Sequence, residues 1–391
     1  MGSTSRNGSI WAMTWLAGSA LSATLLASAA ILAGAGSPAP SIEADGSGPK
    51  VHPTFLYNGN GSCTGASCHS GEAKKQSGQM IGDENSIFDE KDPHANAFKS
   101  LSNAQSKKIA ATLKIEDATK SARCISCHAM PAPEKQRGLK FKDFATNAVG
   151  CESCHGPSEK WLEAHVKAGW TDEQRKNGST AMFEKFGMHD TRDLEVRASM
   201  CVTCHLQIDK DLVDAGHPAL KFELYSYSNY EFKEKFQTHW DEQTEPGHTA
   251  KMWAVGQAVA SAAADAQAAN WKAKGWDTKD ADALSKVFAA GKEVAVASFG
   301  AGDANGLNKA AYPKDKVIAA VNAYLAKADA FKAGADNKLN RDIIASGIEA
   351  LVTGASEKEL PDAFLDAAEK AHKAEGDEWT AALKAMAGFA K

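Results

Sequence analysis

Outside four short motifs the chain has no cysteine, since all eight of its cysteines in 391 residues fall within them. No thiol is left over for a separate disulfide framework. There is no basic run or patch of the kind that binds nucleic acid. Strand-type runs are scarce, and Lys221 to Tyr225 is the one short exception, so the chain reads as mainly α. Long apolar runs are equally scarce. Only the stretch from Ile10 to Gly36 qualifies, which leaves the rest of the chain without a second membrane-spanning candidate.

That stretch lies in a region with no charged side chain between Arg6 and Glu43, and it ends in small-residue sites such as Ala33-Gly34-Ala35. It resembles a secretory signal peptide. The alternative is retention of residues 10–36 as a membrane anchor, and either outcome places the body of the protein in the periplasm or elsewhere outside the cytoplasm. The formal net charge is −5, or −6 without residues 1–36, whose only charge is Arg6. A locally basic partner surface is the kind such a charge steers toward itself.

What is present is a repeated pattern. Cys124-Ile125-Ser126-Cys127-His128, Cys151-Glu152-Ser153-Cys154-His155 and Cys201-Val202-Thr203-Cys204-His205 are three copies of Cys-x-x-Cys-His, preceded by a looser Cys63-Thr64-Gly65-Ala66-Ser67-Cys68-His69. Paired Cys-x-x-Cys would also suit a zinc ribbon. Zinc gives no reason, however, for a histidine at the same place after every pair. Covalent attachment of c-type haem does: the two thiols add across the haem vinyl groups and the following histidine becomes the proximal iron ligand. Four motifs imply four covalently attached haem c groups on Cys63, Cys68, Cys124, Cys127, Cys151, Cys154, Cys201 and Cys204, with His69, His128, His155 and His205 as proximal ligands. The first motif carries four residues between its cysteines, but Thr-Gly-Ala-Ser is small enough to bulge from the turn without displacing either sulfur.

Residues 37–62, rich in Ser, Pro, Gly and Asn, read as a linker. Residues 63–248 read as a tetrahaem domain in which the porphyrins form the core. Residues 249–391 lack cysteine, are rich in alanine, and show helix-period apolar positions at Met252-Trp253-Val255-Val259, Val317-Val321-Leu325 and Ile343-Ile344-Ile348-Leu351. They predict a bundle of four to six helices, with breaks at Gly275, Gly300 to Gly302, Pro313 and around Gly354, and a last long helix starting near Pro361.

Eight histidines remain after the proximal four: His52, His94, His165, His189, His217, His239, His248 and His372. They carry the functional question. A six-coordinate haem moves electrons, whereas a five-coordinate one can bind and transform a small molecule. Asp92 can cap a helix beginning at Pro93, which puts His94, Phe98 and Leu101 on one face. A helix capped by Ser158 puts Trp161, Leu162 and His165 on its buried side. His217 stands in the constrained Ala215-Gly216-His217-Pro218 loop. These three are expected as distal ligands. For the fourth, His239 beside Trp240 is carried forward, with His248, His52, His189, Met130 and Met188 left open. His372, among Ala, Lys and Glu, is expected to be solvated.

The succession Cys-x4-Cys-His, Asp92-Pro-His-Ala-Asn-Ala-Phe98, Cys124-Ile-Ser-Cys-His, Gly150-Cys-Glu-Ser-Cys-His-Gly-Pro157 with His165 after it, Cys201-Val-Thr-Cys-His and Ala215-Gly-His-Pro218 resembles the multihaem cytochrome c-554 family, over roughly residues 60–255. The resemblance implies closely packed haem pairs, mostly bis-histidine ligated, that pass electrons in nitrogen-compound oxidation, with His94, His165 and His217 as ligands. It also implies redox partner proteins as electron donor and acceptor. Some relatives leave one haem without a distal protein ligand, and others carry more haem motifs toward the C-terminus, where this chain has none. A histidine found in some relatives shortly before the Gly-His-Pro element is replaced by Asp209-Lys210-Asp211. The expected function is electron transfer by a secreted tetrahaem cytochrome; the alternative is a multihaem oxidoreductase acting on a small nitrogen species at one five-coordinate haem.

Overall fold

Residues 52–65, 68–70, 82, 84–229, 245–334, 337–356 and 359–391 are described in the computed structural model of the chain, and those from Pro38 onward belong to one compact unit. Ile10 to Gly36 and His239 lie outside the described residues.

The first half is a succession of short helices: α1 (Glu84–Lys91), α2 (Ala97–Ser100), α3 (Ala104–Thr112), α4 (Ala122–His128), α5 (Phe144–Asn147), α6 (Cys151–His155), α7 (Trp170–Phe186), α8 (Leu194–His205), α9 (Lys210–Asp214) and α10 (Leu224–Asn229). Proline and polar caps cut them short. Pro93 forces Asp92 into an extended conformation (φ −80°, ψ 119°), which ends α1, and the Asp92 side chain then caps a 3₁₀ turn over Pro93–Asn96 by accepting from the His94 N–H. Asn103 caps α3 and Asp143 caps α5 in the same way. Asp193 caps α8 and also accepts from Ser179 and Asn308, so one carboxylate ties three segments together.

Up to α7 the apolar side chains form only small clusters, Tyr57 with Met130, Ala132 and Phe141, Leu101 with Ala110 and Ala118, and Trp161 with Trp170 and Met182, whereas Leu194, Val202, Leu206, Phe222 and Leu224 join the main core. Tyr57, inside the stretch that composition reads as linker, is 2% exposed.

The second half holds α11 (His248–Ala273), α12 (Lys279–Phe299), α13 (Ala304–Lys309), α14 (Lys314–Ala328), α15 (Lys338–Ala355), α16 (Asp362–Lys373) and α17 (Gly376–Ala387). The 26-residue α11, about 39 Å long at 1.5 Å per residue, packs against α8, α12, α13 and α15 and carries the main core from one half of the chain into the other. Close approach needs small side chains. A Cβ on Gly347 of α15 would stand 2.7 Å from both the Trp253 and the Tyr324 rings, and one on Gly354 would stand 2.9 Å from the backbone of Ala250.

The mainly α class expected from the sequence is what the chain adopts, and no strand is present among the described residues. Two readings need correction. Lys221 to Tyr225 is not a strand: it leads into α10, which begins at Leu224 because Glu223 accepts from the Ser226 N–H and turns the chain. From residue 248 onward seven helices stand among the described residues rather than four to six, because the short α13 follows the Gly300 break and the last stretch divides into α16 and α17 at Ala374 and Glu375, whose extended backbone (ψ 167° and 170°) cannot continue a helix.

Candidate functional site

Three of the four cysteine motifs close a helix with their histidine as its last residue: His128 ends α4, His155 ends α6 and His205 ends α8. The first motif is built differently. A 3₁₀ turn over Asn60–Ser62 delivers Cys63, the Cys68 N–H donates to the Gly65 carbonyl at 2.8 Å, and the His69 N–H reaches back to the Cys63 carbonyl at 3.3 Å. That last bond spans six residues and does what an i→i−4 bond does in a helical motif. The longer spacing thus still leaves the His69 N–H bonded to Cys63.

Each motif comes against another. The Cys63 thiol touches Cys151, Cys127 touches Cys204, and Cys154 neighbours Cys201. In each of the third and fourth motifs the two cysteines therefore face different neighbours, and the spatial order is first, third, fourth, second. Cys63, Cys154 and Cys201 are shifted toward the neutral thiol. Contact with Cys151 and then burial push Cys63 up, burial pushes Cys154 up to about 12, and burial pushes Cys201 up to about 11.

Three histidines from between or after the motifs stand opposite motif histidines. His165 faces His69 with ring centroids 6.2 Å apart, His217 faces His128 at 6.3 Å, and His94 faces His205 at 5.8 Å with Nε2 atoms 3.5 Å apart. Two imidazoles sharing one metal at about 2 Å each have centroids roughly 6 Å apart. The remaining ring nitrogens point the same way. Nδ1 of His69 meets Glu84 at 3.0 Å, that of His94 meets Asp92 at 2.8 Å, and those of His128, His165 and His217 meet the carbonyls of Ala97, Leu162 and Pro218 at 3.0, 2.7 and 2.9 Å. In five of the six rings Nδ1 is thus held by the protein and Nε2 is left to face its partner. The residues fit axial ligation of haem.

Electrostatics differ between these rings. The Glu84 hydrogen bond raises His69 in spite of burial, whereas burial lowers His128 and brings His205, next to His94, down to about 4. The segment around His165 is a run of turns rather than the expected regular helix, yet the Leu162 N–H to Ser158 and His165 N–H to Trp161 bonds keep helical spacing there. The Trp161 ring lies 5.4 Å from that of His165 and 6.4 Å from that of His155.

The other histidines lie elsewhere. His52 stacks on Phe55 at 3.6 Å, and His189, 9% exposed, stacks on Phe183 at 4.8 Å with burial lowering it to about 4. His248 opens α11, Met130 is buried beside Tyr57, and Met188 packs on the Trp161 cluster. His372 is only partly open to solvent, its side chain being 22% exposed. It sits 3.7 Å from Asp342 and 3.9 Å from Glu349, and although burial opposes it, these carboxylates raise it to about 9.

Glu152 was not singled out by sequence, being one of the two variable residues of its motif. It is 1% exposed and accepts from the backbone N–H groups of Asn58, Gly59 and Ser158 at 3.0, 2.6 and 2.6 Å, clamping the approach to the first motif onto the third.

A mainly helical chain with thiol pairs followed by histidines, and with further histidines set opposite them, has the make-up of a c-type cytochrome. Residues 62–156 match the family model described as cytochrome c554 and c-prime, and over that segment the chain resembles this family. The match supports covalently bound haem c, an electron-transfer role and redox partner proteins. No curated protein and no solved structure matches the chain.

Proposed function

We propose that the protein is a secreted tetrahaem electron carrier working between a donor and an acceptor protein outside the cytoplasm, in respiratory redox chemistry of the nitrogen-compound type. The observation that carries this reading is the set of three opposed imidazole pairs, His69 with His165, His128 with His217 and His205 with His94, together with cysteines that come into contact from motif to motif. Haem supplies a reversible one-electron couple at each site. The chain's residues do the rest. They order the sites as first, third, fourth, second, and hold Nδ1 of His69, His94, His128, His165 and His217.

All eight cysteines serve as thioether anchors and His69, His128, His155 and His205 as proximal ligands, with His94, His165 and His217 distal. His239 is carried forward as the fourth distal ligand, with His248, Met130 and Met188 as the alternatives, since His52 and His189 stack on phenylalanines and His372 is engaged with carboxylates. Residues 1–36 act as signal peptide or, if retained, as anchor through residues 10–36; 37–62 link; 63–248 carry the haems; 249–391 are the helical cover. No helix among the described residues is long and apolar enough to cross a membrane.

Intact mass with a haem stain tests the count. Four haems are expected on the wild-type chain and three on a Cys63→Ala/Cys68→Ala variant, and a wild-type mass with only three would overturn the reading of the first motif.

A further inference from the structure

We propose that Glu223 is a redox-linked proton acceptor, taking up one proton when the iron held between His205 and His94 is reduced, and so coupling electron transfer at the fourth motif to the interior of the helical region. The inference rests on the haem reading of that motif.

Its basis is a junction. Helix α10 lies between the fourth motif and the helical core. On one side Tyr227 packs its ring 4.7 Å from that of His205, and Phe222 packs on Tyr227 at 5.8 Å. One helical turn earlier is Glu223, 4% exposed, whose carbonyl accepts from the Tyr227 N–H. Glu223 is therefore one helical turn from the residue whose ring packs on His205, in surroundings where water cannot screen a charge.

The carboxylate is poorly satisfied. Its Oε2 accepts from the Ser226 N–H at 2.6 Å, but its Oε1 is buried with no hydrogen-bond partner. Facing it is the Tyr324 hydroxyl of α14, fully buried and beside the Trp253 Nε1 of α11. From α15 comes a second buried acid, Glu349, whose charge opposes ionisation of Glu223. Glu349 in turn stands by His372 of α16, which is partly open to solvent, and His372 by Asp342, which is also near Lys221 and Lys338. Burial, with Glu349 adding to it, lifts the Glu223 carboxyl to about 7, where it exchanges its proton near neutrality.

The step balances as one electron from a one-electron donor protein and one proton from solvent. With haem bound at this motif, the electron would take its iron from ferric to ferrous, and the proton converts the Glu223 carboxylate to the acid by forming one O–H bond. The added negative charge at the iron favours the neutral acid, and conversely a charged Glu223 disfavours reduction. Raising the pH must therefore lower the midpoint.

Redox titration of the full haem-loaded chain at several pH values around neutrality tests this. In the wild type one haem midpoint should fall with pH, by less than the ~59 mV per pH unit that a fully coupled one-electron, one-proton step would give. In Glu223→Gln that slope should be lost while the other midpoints keep theirs. An unchanged slope in Glu223→Gln, or no sloping midpoint in the wild type, overturns the proposal. Infrared difference spectra of the wild type provide a readout independent of the variant's folding: a protonated-carboxyl stretch should appear on reduction, and its absence also overturns the proposal. Haem count and intact mass on the same samples separate a failure of the haem reading from a failure of the coupling.

Discussion

His94 and His205 face each other through their Nε2 atoms at 3.5 Å with ring planes at 90°. His128 and His217 stand at 81°, whereas His69 and His165 are nearly parallel at 9°. For axial ligands this difference is electronic. Parallel imidazole planes donate into the same iron d orbital and split the pair to which it belongs, while perpendicular planes treat both alike and leave them nearly equal in energy.

If these pairs ligate haem as proposed, the oxidised protein is therefore expected to show, from the three of them, one rhombic low-spin resonance at His69/His165 and two strongly anisotropic low-spin resonances at the other two. Electron paramagnetic resonance checks it. Rhombic signals alone from all three bis-histidine sites would contradict the ring orientations.

The acceptors at Nδ1 lead to a second expectation. Asp92 and Glu84 are carboxylates, which make the attached imidazole a stronger donor and favour the ferric state, whereas His128 and His217 are held only by neutral groups. Asp92→Ala should thus raise the midpoint of the His94/His205 site; a loss of roughly tenfold in ferric preference corresponds to about 59 mV. Spectroelectrochemical titration decides it, and a midpoint that stays put would show the carboxylate to be without effect.

The parts of this site that sequence made legible are those whose meaning is local. A cysteine pair with a following histidine announces its chemistry within a few residues, and Asp92-Pro93-His94 announces a capped turn that presents an imidazole. Which motif each distal histidine would face was not legible, because that pairing is made between segments 111 residues apart in the case of His94 and His205. The same holds for His372. Its neighbours suggest a solvated helix face, while its partners Asp342 and Glu349 come from another helix. Glu152 was hidden for the opposite reason: it lies inside a motif whose cysteines and histidine draw all the attention, and its acceptors' worth appears only when residues 58, 59 and 158 are folded against it.

Glu152 should be costly to remove. Truncation to alanine leaves three backbone donors without their charged acceptor, and hydrogen bonds to charged groups contribute about 1.5–3 kcal/mol each without being additive. A destabilisation of about 3 kcal/mol or more is expected for Glu152→Ala, with Glu152→Gln less affected because one amide oxygen still accepts. Denaturant midpoints of the haem-loaded variants measure this. Equal stability of the wild type and Glu152→Ala would mean the clamp contributes nothing.

His372 should make stability depend on pH in a defined direction. Burial alone would lower it, but Asp342 and Glu349 raise it to about 9 against an ordinary value of 6.5. A group whose folded value is raised binds its proton more tightly in the folded state. Its contribution is therefore fully present below about pH 6.5 and lost as pH rises through about 9, with an upper size of about 3 kcal/mol. In His372→Gln that contribution is gone at every pH, and the buried Glu349 loses the cation beside it. The stability difference between wild type and His372→Gln should accordingly be largest at pH 6 and shrink steadily toward pH 9. Chemical denaturation of the full haem-loaded chain at each pH reads the difference directly, and a difference that grows with pH would reverse the sign of the argument and exclude a charged His372 between these two carboxylates.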